Sequence, residues 1–297
     1  MVRNLKADLW LRAPSLLGES PCWDARSNQF SWVDLLRPTV QVCDAEGRLV
    51  SELRLPSHVG AALPAAAGGW LVALTDRLAH LQPDGTLRDV VPLEAHLAGN
   101  RANDAKCDPS GRAWVGTMSY DESGTEGSLY RLDTGPKITL VLDGIGVSNG
   151  LGWSPDARTM YFIDTVSEEV RAYPFDLASG WIGDPTTLVK VNRADGLPDG
   201  MCTDDEGYLW VALWGGGGVR RYAPDGRLDT IVEVPVSYTT SCCFGGPNLD
   251  HLFITSARRD LEDDRLGDQP LAGSVWAVRP GVTGPPATPW QEIAESY

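Results

Sequence analysis

Asp204-Asp-Glu-Gly-Tyr-Leu-Trp-Val-Ala-Leu-Trp-Gly-Gly-Gly-Gly-Val-Arg-Arg-Tyr-Ala-Pro-Asp-Gly226 decides how this chain folds. An acidic turn, Asp204 to Gly207, leads into the apolar pair Trp210-Val211. A glycine run follows, then an alternating stretch from Val219 that closes on Pro-Asp-Gly. Alternation closed by turn residues reads as strands entering hairpins.

The same phrasing extends in both directions. A large apolar residue followed by Val or Ile recurs as Trp32-Val33, Leu71-Val72, Trp114-Val115, Phe162-Ile163, Trp210-Val211 and Phe253-Ile254. Successive pairs lie 39, 43, 48, 48 and 43 residues apart. Turns precede most of these pairs, as at Asp24-Ala-Arg-Ser-Asn28, Asp108-Pro-Ser-Gly111 and Ser154-Pro-Asp156. An alternating phrase follows each pair, as at Val40 to Gly47, Leu129 to Gly135, Val170 to Asp176 and Val275 to Gly281. A period in the forties with little helical patterning marks a radial array of small sheets. Each unit supplies four short antiparallel strands, so six units predict an all-β, six-bladed propeller occupying residues 1–297 as one domain. The spare N-terminal segment from Leu5 to Leu11 is expected to add a strand to the last blade and so cover an open edge. A β-solenoid is the competing architecture, but its repeats are usually shorter.

Composition narrows the partners. The chain has 297 residues, with 25 Lys and Arg against 40 Asp and Glu, a net charge of −15. That balance opposes binding to nucleic acid or to anionic membranes and suits a bound cation. No run of about 18 apolar residues is present. The start lacks an apolar signal region, so the cytoplasm is the expected location. The six cysteines show no C-x-x-C spacing and read as buried free thiols.

The site is read from the blade entrances. Glu19, Asn103, Asn149 and Asp199 precede their anchor pairs by 13, 11, 13 and 11 residues. In blade 6 the equivalent positions are Thr240 and Ser241, and in blade 2 the region from His58 to Gly60. The first strand of a propeller blade lines the channel, so these oxygen-bearing side chains are expected to converge at one mouth. Two buried carboxylates need a counter-charge. Glu, Asp and an Asn carbonyl suit Ca²⁺, Mg²⁺ or Mn²⁺, and they do not exclude Zn²⁺. The bland alternative is that each residue caps a neighbouring strand. Recurrence at one position in four blades favours the shared site.

Other signals carry less. Gly146-Val-Ser-Asn-Gly150 fits a nucleophile elbow but lacks the helix and the His that such a site needs. Gly215 to Gly218 lacks the Lys-Ser/Thr of a phosphate loop. His58, His80, His96 and His251 are scattered, which opposes a His-ligated zinc. Asp260 to Asp268 is an acidic loop without EF-hand spacing.

Four segments carry a family resemblance: Leu17-Gly-Glu-Ser-Pro-Cys-Trp23, Asn100-Arg-Ala-Asn-Asp-Ala-Lys-Cys-Asp108, Ser148-Asn-Gly-Leu-Gly-Trp-Ser-Pro-Asp156 and Pro198-Asp-Gly-Met201. Together they resemble the signature segments of the SMP-30/gluconolactonase (regucalcin-like) family. The segment Ala212 to Gly218 resembles bacterial sugar-lactonase members more than animal ones. The resemblance implies one divalent cation, Ca²⁺ first, with Zn²⁺, Mn²⁺, Mg²⁺ or Fe²⁺ as alternatives, held by Glu19, Asn149 and Asp199. It implies that Arg101, Asn103 and Asp121 contact a small sugar lactone. Hydrolysis of aldonolactones is the expected activity, with Asp199 as candidate base. A hydrolase of other lactones or phosphoesters, or a Ca²⁺-binding propeller without turnover, are the competing functions. The expected state is a monomer or a weak homo-oligomer.

Overall fold

The computed structural model describes residues 1–133, 137–261 and 263–292. Its strands form six antiparallel blades of four main strands each, arranged as a six-bladed propeller. Blade 1 runs Gly18–Asp24, Gln29–Asp34, Thr39–Cys43 and Leu49–Arg54 from the axis outward. The inner strands of blades 2 to 6 are Val59–Pro64, Asn100–Cys107, Ser148–Trp153, Leu197–Thr203 and Thr239–Gly245. Each inner strand packs against the inner strands of the blades before and after it, and the sixth returns to the first.

The repeated apolar pairs occupy the second strand of every blade and explain why the sheets stack. All twelve residues, from Trp32-Val33 to Phe253-Ile254, are at most 2% exposed. One member of each pair packs against the preceding blade and the other against the next, because successive strand residues face opposite sides. Several acidic turns are fixed from within. Asp108 and Asp204, both fully buried, accept the Nε1 protons of Trp114 at 3.0 Å and of Trp210 at 2.9 Å.

Leu5 to Leu11, read from sequence as one closing strand, is divided between two blades. Asp8–Leu11 pairs antiparallel with Val275–Val278 and supplies the outer strand of blade 6. Arg3–Lys6 instead joins Leu228–Glu233 in parallel, as a fifth strand of blade 5. Ala7, between them, is buried and its N–H donates to the Glu233 carbonyl at 3.0 Å. The acidic stretch after Asp260 contains a short helix, Asp263–Asp268, where the sequence reads as loop.

A second crossing has no counterpart in the repeat. After blade 6 the chain straps the end of the channel opposite the strand entrances. The Thr283 carbonyl accepts the Asp205 N–H, and the Gly284 N–H donates to the Leu249 carbonyl, at blades 5 and 6. The Trp290 N–H then donates to the Pro64 carbonyl at 2.8 Å, and the Gln291 N–H to the Gly111 carbonyl at 3.0 Å, at blades 2 and 3. Trp290 is 2% exposed and completes the core beside Leu63, Leu71 and Val115.

Candidate active site at the channel mouth

Every inner strand breaks its ladder with the second strand near its start. The register shifts fall between Glu19 and Cys22, Val59 and Ala61, Ala102 and Ala105, Asn149 and Leu151, Pro198 and Met201, and Thr239 and Cys242. A bulge bends the strand and re-aims a side chain. Asn103 and Asp199 lie inside their bulges, and Glu19 and Asn149 stand immediately before theirs. In blade 1 the bulge carries Ser20 at φ 49°, a left-handed conformation that L-residues rarely adopt. Strain of this kind is expected beside a site that uses it.

The bulged residues are wired to one another across blades. The Arg101 guanidinium donates to Asn103 Oδ1 at 2.7 Å and to the Ala102 carbonyl at 3.0 Å. Asn103 Nδ2 donates to the Ser148 carbonyl at 2.9 Å, joining blade 3 to blade 4. Asn149 Nδ2 donates to Thr165 Oγ1 at 3.0 Å, and that hydroxyl donates to the Pro198 carbonyl at 2.8 Å, joining blade 4 to blade 5. The Asn149 side chain also draws the pKa of the Asp199 carboxyl downward, against its burial. Glu19 accepts the Ser20 N–H at 3.1 Å.

The charges act on one another across the blades. Burial pushes the Glu19 carboxyl well above the usual range, and the negative charges of Asp199 and Asp104 push it further. Burial and then Asp104 do the same to Asp199. Burial also raises Asp104, against the pull of Lys106. Burial lowers Arg101 to about 10, so it stays cationic at neutral pH. Glu19, Arg101, Asn103, Asn149 and Asp199 therefore belong to one cluster. Asp104 is a third acid in it, unmarked in the sequence because its neighbour Asn103 drew the reading.

Asp121 stands apart. It is exposed, and its carboxylate accepts from Ser119 Oγ at 2.6 Å and from the Ser123 N–H at 3.1 Å, within its own turn. The next residue reaches the mouth instead. Glu122 Oε1 pairs with the Arg259 guanidinium at 2.5 Å, and the charge of Glu122 is felt by both Arg101 and Asp199. Arg259 belongs to blade 6 and Glu122 to blade 3, on opposite sides of the ring, so the pair spans the mouth. Sequence reading missed both residues, since each lies in a loop outside the repeat. His58 and Tyr120 complete the rim, with ring centroids 5.7 Å apart.

The donor set fits a hard divalent cation. Among the described residues no three His, Cys, Asp or Glu side chains gather closely enough to hold an ion by themselves. Glu19, Asp199 and the Asn149 amide oxygen could offer a cation three hard oxygen donors. Three buried acids that repel one another are what a cation would relieve. A serine nucleophile does not fit. Ser148 Oγ is buried without a hydrogen-bond partner, and a Cβ placed on Gly116 would meet it at 1.9 Å, so it packs against blade 3.

With this geometry in place, comparison with known proteins is direct. Residues 17–258 match the SMP-30/Gluconolactonase/LRE-like region. The chain belongs to this family. Chicken (Gallus gallus) regucalcin, a family relative, is 36% identical over 282 residues, covering 92% of this chain and 94% of its own. YvrE of Bacillus subtilis, a candidate sugar lactone lactonase, is 34% identical over 268 residues, covering 89% of this chain and 91% of its own. The crystal structure of a calcium-binding regucalcin from Agrobacterium tumefaciens superposes with a TM-score of 0.92 at 32% identity, covering 98% of this chain and 99% of that one. In this SMP-30/gluconolactonase chain the family segments and the channel-mouth cluster coincide.

Proposed function

We propose that the protein is a divalent-metal-dependent lactonase that opens sugar lactones, aldonolactones first, to their acids. The observation that carries this reading is the convergence of Glu19, Asn149 and Asp199 from three blades beside the buried cation Arg101. The YvrE assignment supports the substrate class, and the name of the Agrobacterium relative supports Ca²⁺ as the first metal to test.

Glu19, Asn149 and Asp199 hold the cation. When bound, it supplies Lewis-acid polarisation of the lactone carbonyl and neutralises the developing oxyanion. Arg101 binds ring or hydroxyl oxygens through its planar fork. Asn103 spends its carbonyl on Arg101 and one amide proton on Ser148, which leaves one proton for the substrate. Asp199 takes the proton of the attacking water. Water oxygen adds to the carbonyl carbon, the ring C–O bond breaks, and Asp199 returns the proton to the leaving alkoxide. The product is the open hydroxy acid.

The test is chelation followed by single restoration of Ca²⁺, Mg²⁺, Mn²⁺, Fe²⁺ or Zn²⁺, with acid release measured over a panel of aldonolactones. Activity that vanishes with chelator and returns with one or more metals is the expected result. Cation binding with no acid release from any lactone overturns the enzymatic reading and leaves a Ca²⁺-binding propeller.

A further inference from the structure

The channel has a second end, beneath the strap. A cavity of about 350 Å³ lies there, lined by residues from all six inner strands and by Pro285 to Thr288. Glu19, Arg101, Asn149 and Asp199 do not line it. Its size falls within the range of small-molecule sites, which are apolar hollows with a few placed polar groups. The apolar walls come from Pro21, Leu63, Trp153 and Phe244, with Pro285 and Pro286 closing the outside.

The charged groups are few and mostly engaged: Lys106, Asp104, Asp204 and Asp205 line the wall, with the hydroxyls of Ser20, Thr203 and Ser241 between them. Lys106 reaches from blade 3 to donate to the Met201 carbonyl of blade 5, crossing the channel. An ammonium carries three donors, and this bond uses one. Asp104 is the facing charge, and the two interact. Asp204, also in the wall, is already paired with the buried Arg221 at 2.6 Å. An incoming anion meets a chain of net charge −15, and an incoming cation meets Lys106. The thiols in the wall include Cys22 and Cys243, the two cysteines that are not fully buried. Burial raises both thiols, Cys22 to about 12, so they present neutral, polarisable surface. No group of three metal-ligating side chains forms there among the described residues, so an organic occupant suits the cavity better than an ion.

We propose that this cavity is a second ligand site, specific for an uncharged aromatic or apolar molecule whose single hydrogen-bond acceptor meets the Lys106 ammonium. It shares Asp104 with the channel-mouth cluster but none of Glu19, Arg101, Asn149 and Asp199, and it stands whether or not the lactonase reading does.

The test uses the full chain and the neutral dye 6-propionyl-2-(dimethylamino)naphthalene, whose ketone is the single strong acceptor and whose emission shifts to the blue in apolar surroundings. Saturable binding is expected, with occupancy slowing methyl methanethiosulfonate modification of Cys22 and Cys243 by about tenfold or more, as mapped by mass spectrometry. Prior modification of those thiols in the folded protein, or the cavity-filling variant Cys243→Phe, abolishes dye binding. The carboxylate analogue 6-(dimethylamino)naphthalene-2-carboxylate binds at least about tenfold more weakly, about 1.4 kcal/mol. Absence of saturable dye binding, or binding that neither protects the thiols nor is blocked by their modification, overturns the site. Equal or tighter binding of the carboxylate overturns the assignment of an uncharged ligand.

Discussion

Asn103 Oδ1 accepts a 2.7 Å hydrogen bond from the Arg101 guanidinium, and the same amide holds the Ser148 carbonyl of the next blade. One side chain therefore both aims a buried cation and ties it to the strand that carries Asn149. Asn103→Leu keeps the volume and removes both bonds. We expect kcat/KM on an aldonolactone to fall by about a hundredfold, since misplacing a reacting group by an ångström costs about that much. Arg101→Ala, by contrast, should chiefly raise KM if the guanidinium only positions sugar. Steady-state kinetics on both variants separates the two roles. A wild-type kcat/KM for Asn103→Leu would show that the amide matters only for folding.

Gly60 is the blade 2 counterpart of these residues and makes its contribution by absence. A Cβ there would lie 2.1 Å from the Asn103 carbonyl oxygen, closer than any real contact. Gly60→Ala should push the blade 3 bulge away and lower kcat/KM by about tenfold or more. Cation affinity should change less, because Glu19, Asn149 and Asp199 belong to other blades. Calorimetric titration of Ca²⁺ beside kinetics reads both. Equal losses in affinity and turnover would mean that the whole mouth collapses.

Asp204 anchors blade 5 without touching the mouth. It accepts the Trp210 Nε1 proton, the Tyr208 N–H at 2.9 Å and the Arg221 guanidinium, and it is fully buried. Arg221 also stacks over Tyr208 at 3.7 Å. Removing one partner of a buried ion pair strands the other, at a cost of about 3–5 kcal/mol. Asp204→Ala should lower the urea midpoint by that equivalent, with the slope unchanged. A shift below about 1 kcal/mol would mean that Glu206 and Asp229, the other acids bonded to Arg221, suffice.

The propeller was legible because its core repeats in the chain. Trp32-Val33 and its five equivalents announce buried second strands, and each is buried. Glu19, Asn149 and Asp199 are reached by counting back 13, 13 and 11 residues from those pairs, since the strand-turn-strand length varies little between blades. What lay outside the repeat was hidden. Arg3–Lys6 offers no alternation strong enough to predict a parallel partner. The strap from Thr283 to Gln291 is fixed by backbone bonds, which leave no residue signature. Glu122 and Arg259 meet across the ring from loops 137 residues apart. Asp104 and Lys106 carry their meaning only once six strands are closed around them.

The channel-mouth acids give the metal-free protein an unusual pH dependence. Glu19, Asp104 and Asp199 are each raised by burial, so the folded state binds their protons more tightly than the unfolded chain. Between the unfolded value, about 4, and the raised folded values, folding takes up protons, and stability rises as the pH falls. Asp44 and Asp84 act oppositely. The backbone N–H groups of Arg48 and Thr86 hold them low, and their contribution is lost as the pH drops below about 4. With chelator present, the melting temperature should therefore climb from pH 8 toward pH 5 and then fall. Saturating Ca²⁺ favours the ionised acids and should reverse the upper limb, with protons released on binding. Glu19→Gln removes one repelling charge, so it should raise the metal-free melting temperature at pH 8 while losing most of the stabilisation by Ca²⁺. A chelated protein that is most stable at pH 8, with Glu19→Gln no more stable than the parent, would show that these three carboxylates do not repel one another in the fold.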